Sequence, residues 1–199
     1  CVSVEASGTM RLFMDGIQRE CTDGNACIGG KGTNGHVPNR LLRSNSYIGR
    51  SNHGNEAYLN GSVADFTLMD GFAVTTEAEA VAIMLTVPFT WTFPLRTLED
   101  EGTSVASTGN NPGQWAGTVH AGAALGPGRL PGTQALSFDG VGRTPADGQH
   151  ISIAGGTTVG GSALSVCVWV RWESFGFWSR IFDFGNGVNS DNIVLSNTN

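Results

Sequence analysis

The chain has 199 residues, of which 40% are hydrophobic, 14% are charged and 29 are glycine, and its net charge is −6. This length allows one or two domains with an ample core, and few charges with many glycines are typical of short strands joined by tight turns. Mild acidity without a Lys/Arg run disfavours nucleic acid and anionic membranes as partners, and no apolar run reaches the roughly 18–20 residues that span a bilayer.

The first predicted element is a β-hairpin. Residues 9–14 and 17–19 flank Asp15-Gly16, the dipeptide favoured in type I′ turns because both central residues need a positive φ. A glycine-rich loop is expected over residues 24–39.

The four cysteines favour an oxidising, extracellular setting. Cys21 and Cys27 flank a turn-rich loop and are predicted to form a disulfide, the alternative being free buried thiols. Such a bridge closes about seven residues and contributes roughly 2.4 kcal/mol. Cys1 and Cys167 lie on strand-like stretches and have two alternatives, to pair with each other or with chain outside this sequence.

Strands are predicted next over residues 47–50 and 57–69. Within the longer strand, Val63 alternates in phase with Asp65, whereas Phe66 falls on the other face. Asn60-Gly61-Ser62 is an N-glycosylation sequon, although Asn-Gly is equally typical of a hairpin turn.

One helix is predicted from Thr76 to about residue 85. Thr76 and Glu79 form a capping box, in which hydroxyl and carboxylate bind the free N–H groups of the first turn. Ala80, Val81 and Met84 belong to its apolar face.

The region after Pro88 repeats the pattern of short strands separated by turns. A turn-rich region is expected over residues 102–132. The predicted strands are residues 89–93, 136–140, 149–153, 165–172, 179–184 and 192–195. This spacing indicates an antiparallel sandwich.

The aromatic residues divide into two predicted groups. Core positions are expected for Trp91, Trp169, Trp172, Phe182 and Phe184. Trp115, Phe175, Phe177 and Trp178 lie in or near loops, where exposed rings can stack on sugars or on a protein neighbour.

Catalysis has little support in the sequence. Jelly-roll glycosidases need two carboxylates on one strand face, whereas Glu99, Asp100 and Glu101 are adjacent and precede a turn. The histidines have no metal-ligand spacing, so each is interpreted as a surface or loop residue. They are His36, His53, His120 and His150.

The motifs resemble the concanavalin A-like, laminin-G type jelly roll of secreted multidomain proteins. In the first half the resemblance involves residues 8–16, 47–51, 58–66 and the helix. In the second half it involves Trp91 and residues 99–102, 135–140, 164–172 and 180–185.

This resemblance implies two half-modules in inverted order. Residues 1–87 are similar to the closing half of one sandwich, and residues 88–199 to the opening half of the next. The chain is therefore expected to be part of a tandem array. The alternatives are completion by a neighbouring copy and a permuted single domain.

The resemblance also implies a structural calcium, which needs six to eight oxygen ligands. Asp139 and Asp65 match the family pattern. Ala64 and Gly142-Arg143 depart from it, because acidic residues usually stand there, so solvated turn aspartates are the competing interpretation. No other cofactor is expected.

The function expected from the sequence is that of a non-catalytic, secreted structural or adhesive repeat in a fibre or cell-surface assembly. Its partners are neighbouring copies or other domains of that assembly, and glycans are a further possibility. The alternative is a carbohydrate-binding lectin module, with Trp115 and Trp178 as candidate contacts. A hydrolase ranks third.

Overall fold

A computed structural model of the chain describes residues 1–19, 37–86, 104–105, 116–129, 133–142 and 148–197. These residues form fifteen strands and one helix, which makes the described part of the chain all-β, as the sequence predicts. The elements are β1 Val2–Val4, β2 Met10–Met14, β3 Ile17–Arg19, β4 Leu41–Arg43, β5 Asn45–Ile48, β6 Asn60–Asp70, α1 Glu77–Thr86, β7 Ser104–Val105, β8 Gly117–His120, β9 Ala124–Pro127, β10 Gln134–Asp139, β11 His150–Ile153, β12 Thr157–Val159, β13 Leu164–Ser174, β14 Arg180–Gly185 and β15 Ile193–Ser196.

The chain divides into two compact units. Unit 1 is Cys1–Leu41, Phe66–Phe89 and Thr158–Val168, and unit 2 is Leu42–Asp65, Thr90–Thr157 and Trp169–Asn199. Both units draw on both sides of residue 87. The reason is strand pairing, because β1 pairs with β13 in unit 1 and β6 pairs with β10 in unit 2.

Unit 1 contains strands in the order β3-β2-β1-β13, with the second part of β6 beside β13. β1 pairs antiparallel with both β2 and β13, with Val2 opposite both Leu12 and Val166, and β2 pairs antiparallel with β3. Asp15 and Gly16 have φ of 53° and 78°, so the predicted hairpin turn is confirmed.

A disulfide joins Cys1 to Cys167 within unit 1, which is one of the two alternatives that the sequence leaves open. Cys167 belongs to the buried cluster of this unit, together with Phe13, Val74 and Ala80. The bridge therefore ties β13 to the residue that precedes β1.

The helix α1 begins with the predicted capping box. The Thr76 Oγ1 accepts a hydrogen bond from Glu79 N at 3.2 Å, and Glu79 Oε2 accepts from the backbone N of Thr75 and Thr76 at 2.8 and 3.1 Å. The hydrogen bond from the Thr75 N–H is the largest cause that lowers the pKa of Glu79. Ala80 is fully buried, whereas Val81 is exposed, so the buried face is narrower than predicted.

Unit 2 contains a six-stranded sheet in the order β15-β14-β5-β11-β8-β7 and a second layer in which β10 lies between β6 and β9. Its buried apolar side chains come from both layers, among them Ile48, Leu59, Val63, Leu136, Phe182 and Phe184. A Cβ added at Gly49, where φ is 83°, would stand 3.0 Å from the ring of Phe138. The layers approach closely there, and the unit is an antiparallel β-sandwich.

Three sequence expectations need correction in this fold. The region predicted to be turn-rich contains the strands β8 and β9. The sequence gives little sign of β8, because Val119 is its only buried aliphatic side chain and stands between polar neighbours. Val63 and Phe66 were expected on opposite faces of one strand, but both are buried, Val63 in unit 2 and Phe66 in unit 1. The cause is Asp65 between them, whose φ of 50° interrupts the alternation of the strand. Trp172, expected in the core, is only half-buried, as is Trp169.

Candidate functional site

The loop between β13 and β14 exposes aromatic side chains in unit 2. Residues 175–178, called here the aromatic loop, are Phe175, Gly176, Phe177 and Trp178. The exposed fractions are 61% for Phe175, 60% for Phe177 and 38% for Trp178. The Phe175 ring lies 5.3 Å from the ring of Trp172, centroid to centroid. Clustered exposed rings of this kind mark interaction surfaces.

Hydrogen bonds fix the backbone of the aromatic loop. The Phe177 carbonyl accepts from Ala57 N at 3.0 Å, and the Gly176 carbonyl accepts from Ser179 N at 3.2 Å and from Asn197 Nδ2 at 2.8 Å. A Cβ added at Gly176 would stand 2.5 Å from the Cβ of Ala57, so only glycine fits this close approach. The rings are therefore presented on an ordered backbone.

Trp178 has a φ of 52°, in the left-handed region. A bulky side chain is an outlier there, because its Cβ crowds the backbone, and such strain costs about 1–3 kcal/mol. Glycine or asparagine would suit this backbone better. Tryptophan at this position therefore indicates that the indole ring has a use other than completing the turn.

A charged network lies at the base of the aromatic loop. Arg180 donates from Nε and Nη2 to Glu56 Oε2, at 3.0 and 2.6 Å. The side chains of Arg180 and Glu56 are only 7% and 11% exposed. The Arg180 guanidinium carbon lies 5.9 Å from the centroid of the Trp178 ring, within cation–π range.

Asp183 extends the network into the interior of unit 2. Its side chain is completely buried and accepts hydrogen bonds from Asn52 N, Asn52 Nδ2 and Asn192 Nδ2 at 2.8 to 2.9 Å. The Arg180 Nε lies 3.7 Å from Asp183 Oδ2. Several donors thus satisfy the oxygens of this buried side chain, as a polar group in an interior requires.

A second cluster lies on the six-stranded sheet, where two histidines stack. The rings of His120 and His150 are 4.3 Å apart and nearly parallel. The His120 Nε2 is 2.7 Å from Ser152 Oγ, and His150 Nδ1 is 2.7 Å from the Gly148 carbonyl. Burial lowers the pKa of His150 to about 4, so its imidazole is neutral at pH 7.

The interpretation as a surface or loop residue is therefore wrong for His150, whereas His120 is half-buried. Both stand on strands, and His150 is buried among aromatic rings, with Tyr47 at 5.7 Å and Tyr58 at 6.1 Å between ring centroids. Sequence alone misses this, because a histidine in a short strand gives no sign of which face it occupies.

The structure does not bring together the two residues expected to bind calcium. Asp139 is paired opposite Asn60 in the β6–β10 ladder, and Asp65 lies five positions further along β6, about 16 Å away at 3.3 Å per residue. Burial raises the pKa of Asp65. The described residues contain no group of three His, Cys, Asp or Glu side chains placed to hold a metal. Calcium binding stays a prediction.

Of the remaining predicted site residues, the structure describes Trp178 and Asn60 and does not describe the other three. Trp178 is exposed on the aromatic loop, and Asn60 begins β6, where its Nδ2 donates to Ser174 Oγ at 2.8 Å. Glycosylation of Asn60 stays a prediction. Cys21, Cys27 and Trp115 lie outside the described residues.

The sequence does not show that Glu56, Arg180 and Asp183 form one network. The sequence does contain one sign of this network, because the charged residues Arg180 and Asp183 interrupt an otherwise apolar strand. The structure shows that every residue of this strand, Arg180–Gly185, is buried. Charges in a buried strand require partners. The partner of Arg180 is 124 positions away in sequence, and no local pattern identifies it.

Comparison with known proteins gives no match to a family model, to a curated protein or to a solved structure. The laminin-G resemblance therefore stays a prediction. Within the described ranges, no helix is long and apolar enough to cross a membrane.

Proposed function

We propose that this chain is a non-catalytic, extracellular binding module that contacts uncharged carbohydrate through the aromatic loop. The observation that carries the proposal is Trp178, an exposed indole held in a strained backbone conformation. Strain of this type is concentrated at functional sites. The Cys1–Cys167 disulfide supports an oxidising, extracellular setting.

The surroundings of the aromatic loop favour an uncharged ligand. Arg171 pairs with Glu173 just before the loop, and Arg180 pairs with Glu56 at its base. Charges that are already paired offer little to an ionic ligand. Sugar rings present C–H faces that stack on aromatic rings, and the ordered loop backbone lowers the entropy cost of binding.

An adhesive role is compatible with this proposal. Assembly with neighbouring copies is expected for half-modules whose strand edges need an outside partner. β1 pairs with β13, and β6 pairs with β10, so strands from the two sides of residue 87 pair with each other. We therefore propose adhesion through glycans in preference to assembly through incomplete sandwiches.

The test is binding of the purified chain to an array of neutral glycans, followed by calorimetry on any glycan retained. Trp178→Asn should abolish binding, because asparagine suits the backbone but lacks the ring. Phe72→Asn is the matched control, because Phe72 is an exposed aromatic residue of unit 1, at 45% exposure. Absence of binding to every neutral glycan, or unchanged binding by Trp178→Asn, would refute the proposal.

A further inference from the structure

We infer that Glu56 is a positioning residue that orients the Trp178 indole through Arg180 and so sets the affinity of the aromatic loop. This inference rests on the proposed function for its consequence in binding. The orientation of the indole can be measured without any ligand.

The first step is the contact between Glu56 and Arg180. Both the Nε and the Nη2 of Arg180 donate to the same oxygen, Glu56 Oε2. Ser51 Oγ also donates to Glu56 Oε2, at 2.5 Å. Three hydrogen-bond donors to one carboxylate oxygen restrict the rotamer of Glu56. The position of this oxygen in turn fixes the orientation of the planar Arg180 guanidinium.

The second step is the contact between Arg180 and Trp178. The guanidinium carbon lies over the indole at 5.9 Å from the ring centroid. A guanidinium attracts the face of an indole, and exclusion of water strengthens this attraction. An Arg180 side chain that is 7% exposed therefore gives the partly exposed ring a fixed cationic surface beneath it.

The third step is the backbone next to Glu56. Ala57 donates its N–H to the Phe177 carbonyl at 3.0 Å, one residue before Trp178. The segment containing Glu56 thus contacts the aromatic loop through a backbone hydrogen bond, and it contacts Arg180, two residues beyond the loop, through a side-chain ion pair. Rigid support of this kind fixes a contact residue within the narrow tolerance that binding needs.

Asp183 makes the inference testable by substitution. Its Oδ2 lies 3.7 Å from the Nε of Arg180, so Arg180 keeps a nearby carboxylate when Glu56 loses its charge. Glu56→Gln should therefore fold, while weakening the bond that orients the guanidinium. A double variant, Glu56→Leu with Arg180→Met, removes the ion pair as a whole, and Asp183 then keeps its hydrogen bonds from Asn52 and Asn192.

The experiment measures the indole and the binding separately. The chain is labelled with 5-fluorotryptophan, and the ¹⁹F resonance of Trp178 is assigned by its loss in Trp178→Phe. Glu56→Gln and the double variant should shift and broaden this resonance without ligand. Both should bind the neutral glycan about tenfold more weakly, or about 1.4 kcal/mol. Glu173→Gln is the control, because Glu173 pairs with Arg171 at the surface, and it should change neither measurement.

The outcomes separate this inference from the proposed function. A Trp178 resonance that moves in both variants supports positioning, even where no glycan binds the parent chain. An unmoved resonance in folded Glu56→Gln and in the folded double variant overturns the inference, whatever the glycan result. A moved resonance with unchanged glycan affinity overturns the claim that this orientation sets affinity, while the proposed function stands.

Discussion

Removal of the Cys1–Cys167 disulfide should destabilise unit 1 strongly. The two cysteines are 166 positions apart, so the bridge closes a very long loop in the unfolded chain. The chain-entropy relation gives about 5 kcal/mol for a loop of this length. Cys167 is also almost completely buried, so the smaller side chains of the double variant Cys1→Ala, Cys167→Ala fit without a new polar group in the core.

Urea unfolding, followed together with amide hydrogen exchange, measures the effect. With a urea dependence of about 2 kcal/mol per molar, the midpoint of unit 1 should fall by roughly 2–3 M. Exchange should accelerate in Val2–Val4 and in the first residues of β13, which pair with each other. The matched control is Cys21→Ala, Cys27→Ala, whose predicted bridge closes about seven residues and is worth roughly 2.4 kcal/mol at most. Equal losses in the two double variants would refute the argument from loop length.

Three further predictions concern the stability of the same chain. The pKa of His150 is lowered to about 4 by burial, so the unfolded state binds more protons than the folded state between about pH 4 and 6.5. The free energy of unfolding should therefore fall by at most about 3.4 kcal/mol as the pH drops through this window. His150→Phe should make the urea midpoint less dependent on pH. Thr76→Ala removes the cap that accepts from Glu79 N and should cost about 1 kcal/mol in urea unfolding; an unchanged midpoint would contradict the capping box. Phe184→Ala empties a fully buried site and should cost about 3–5 kcal/mol, whereas Phe175→Ala, at an exposed ring, should change stability by less than about 0.5 kcal/mol.

The sequence predicts those elements whose signals are local. The Asp15-Gly16 turn and the Thr76 cap each depend on residues within four positions, and the structure confirms both. Alternating Phe182 and Phe184 likewise identify a buried strand. The short range of these interactions explains the success, because backbone conformation and nearest hydrogen bonds decide them.

Features that depend on distant residues could not be predicted. The division into units follows from pairings such as Val2 with Val166, and sequence similarity to half-modules does not specify which strands meet. The positive φ of Asp65 changes the phase of β6, and aspartate in a strand gives only a weak signal of such an irregularity.

The candidate site was predicted in part for the same reason. Trp178 was expected to be exposed because it lies between two strands, and it is exposed. Its left-handed backbone and its contact with Arg180 depend on how the loop is held by Ala57 and Asn197. These are tertiary contacts, and they have no counterpart in local composition.

The pairing of Val2–Val4 with Leu164–Val166 has a consequence for biosynthesis. β1 leaves the ribosome before its partner β13, which is made more than 160 positions later, and at usual translation speeds this delay is on the order of ten seconds. During that interval β2 can cover one edge of β1, but the edge of β1 that later pairs with β13 is open to incorrect partners in other nascent chains. Production of this protein should therefore depend on holding chaperones, and slower translation should lower its yield.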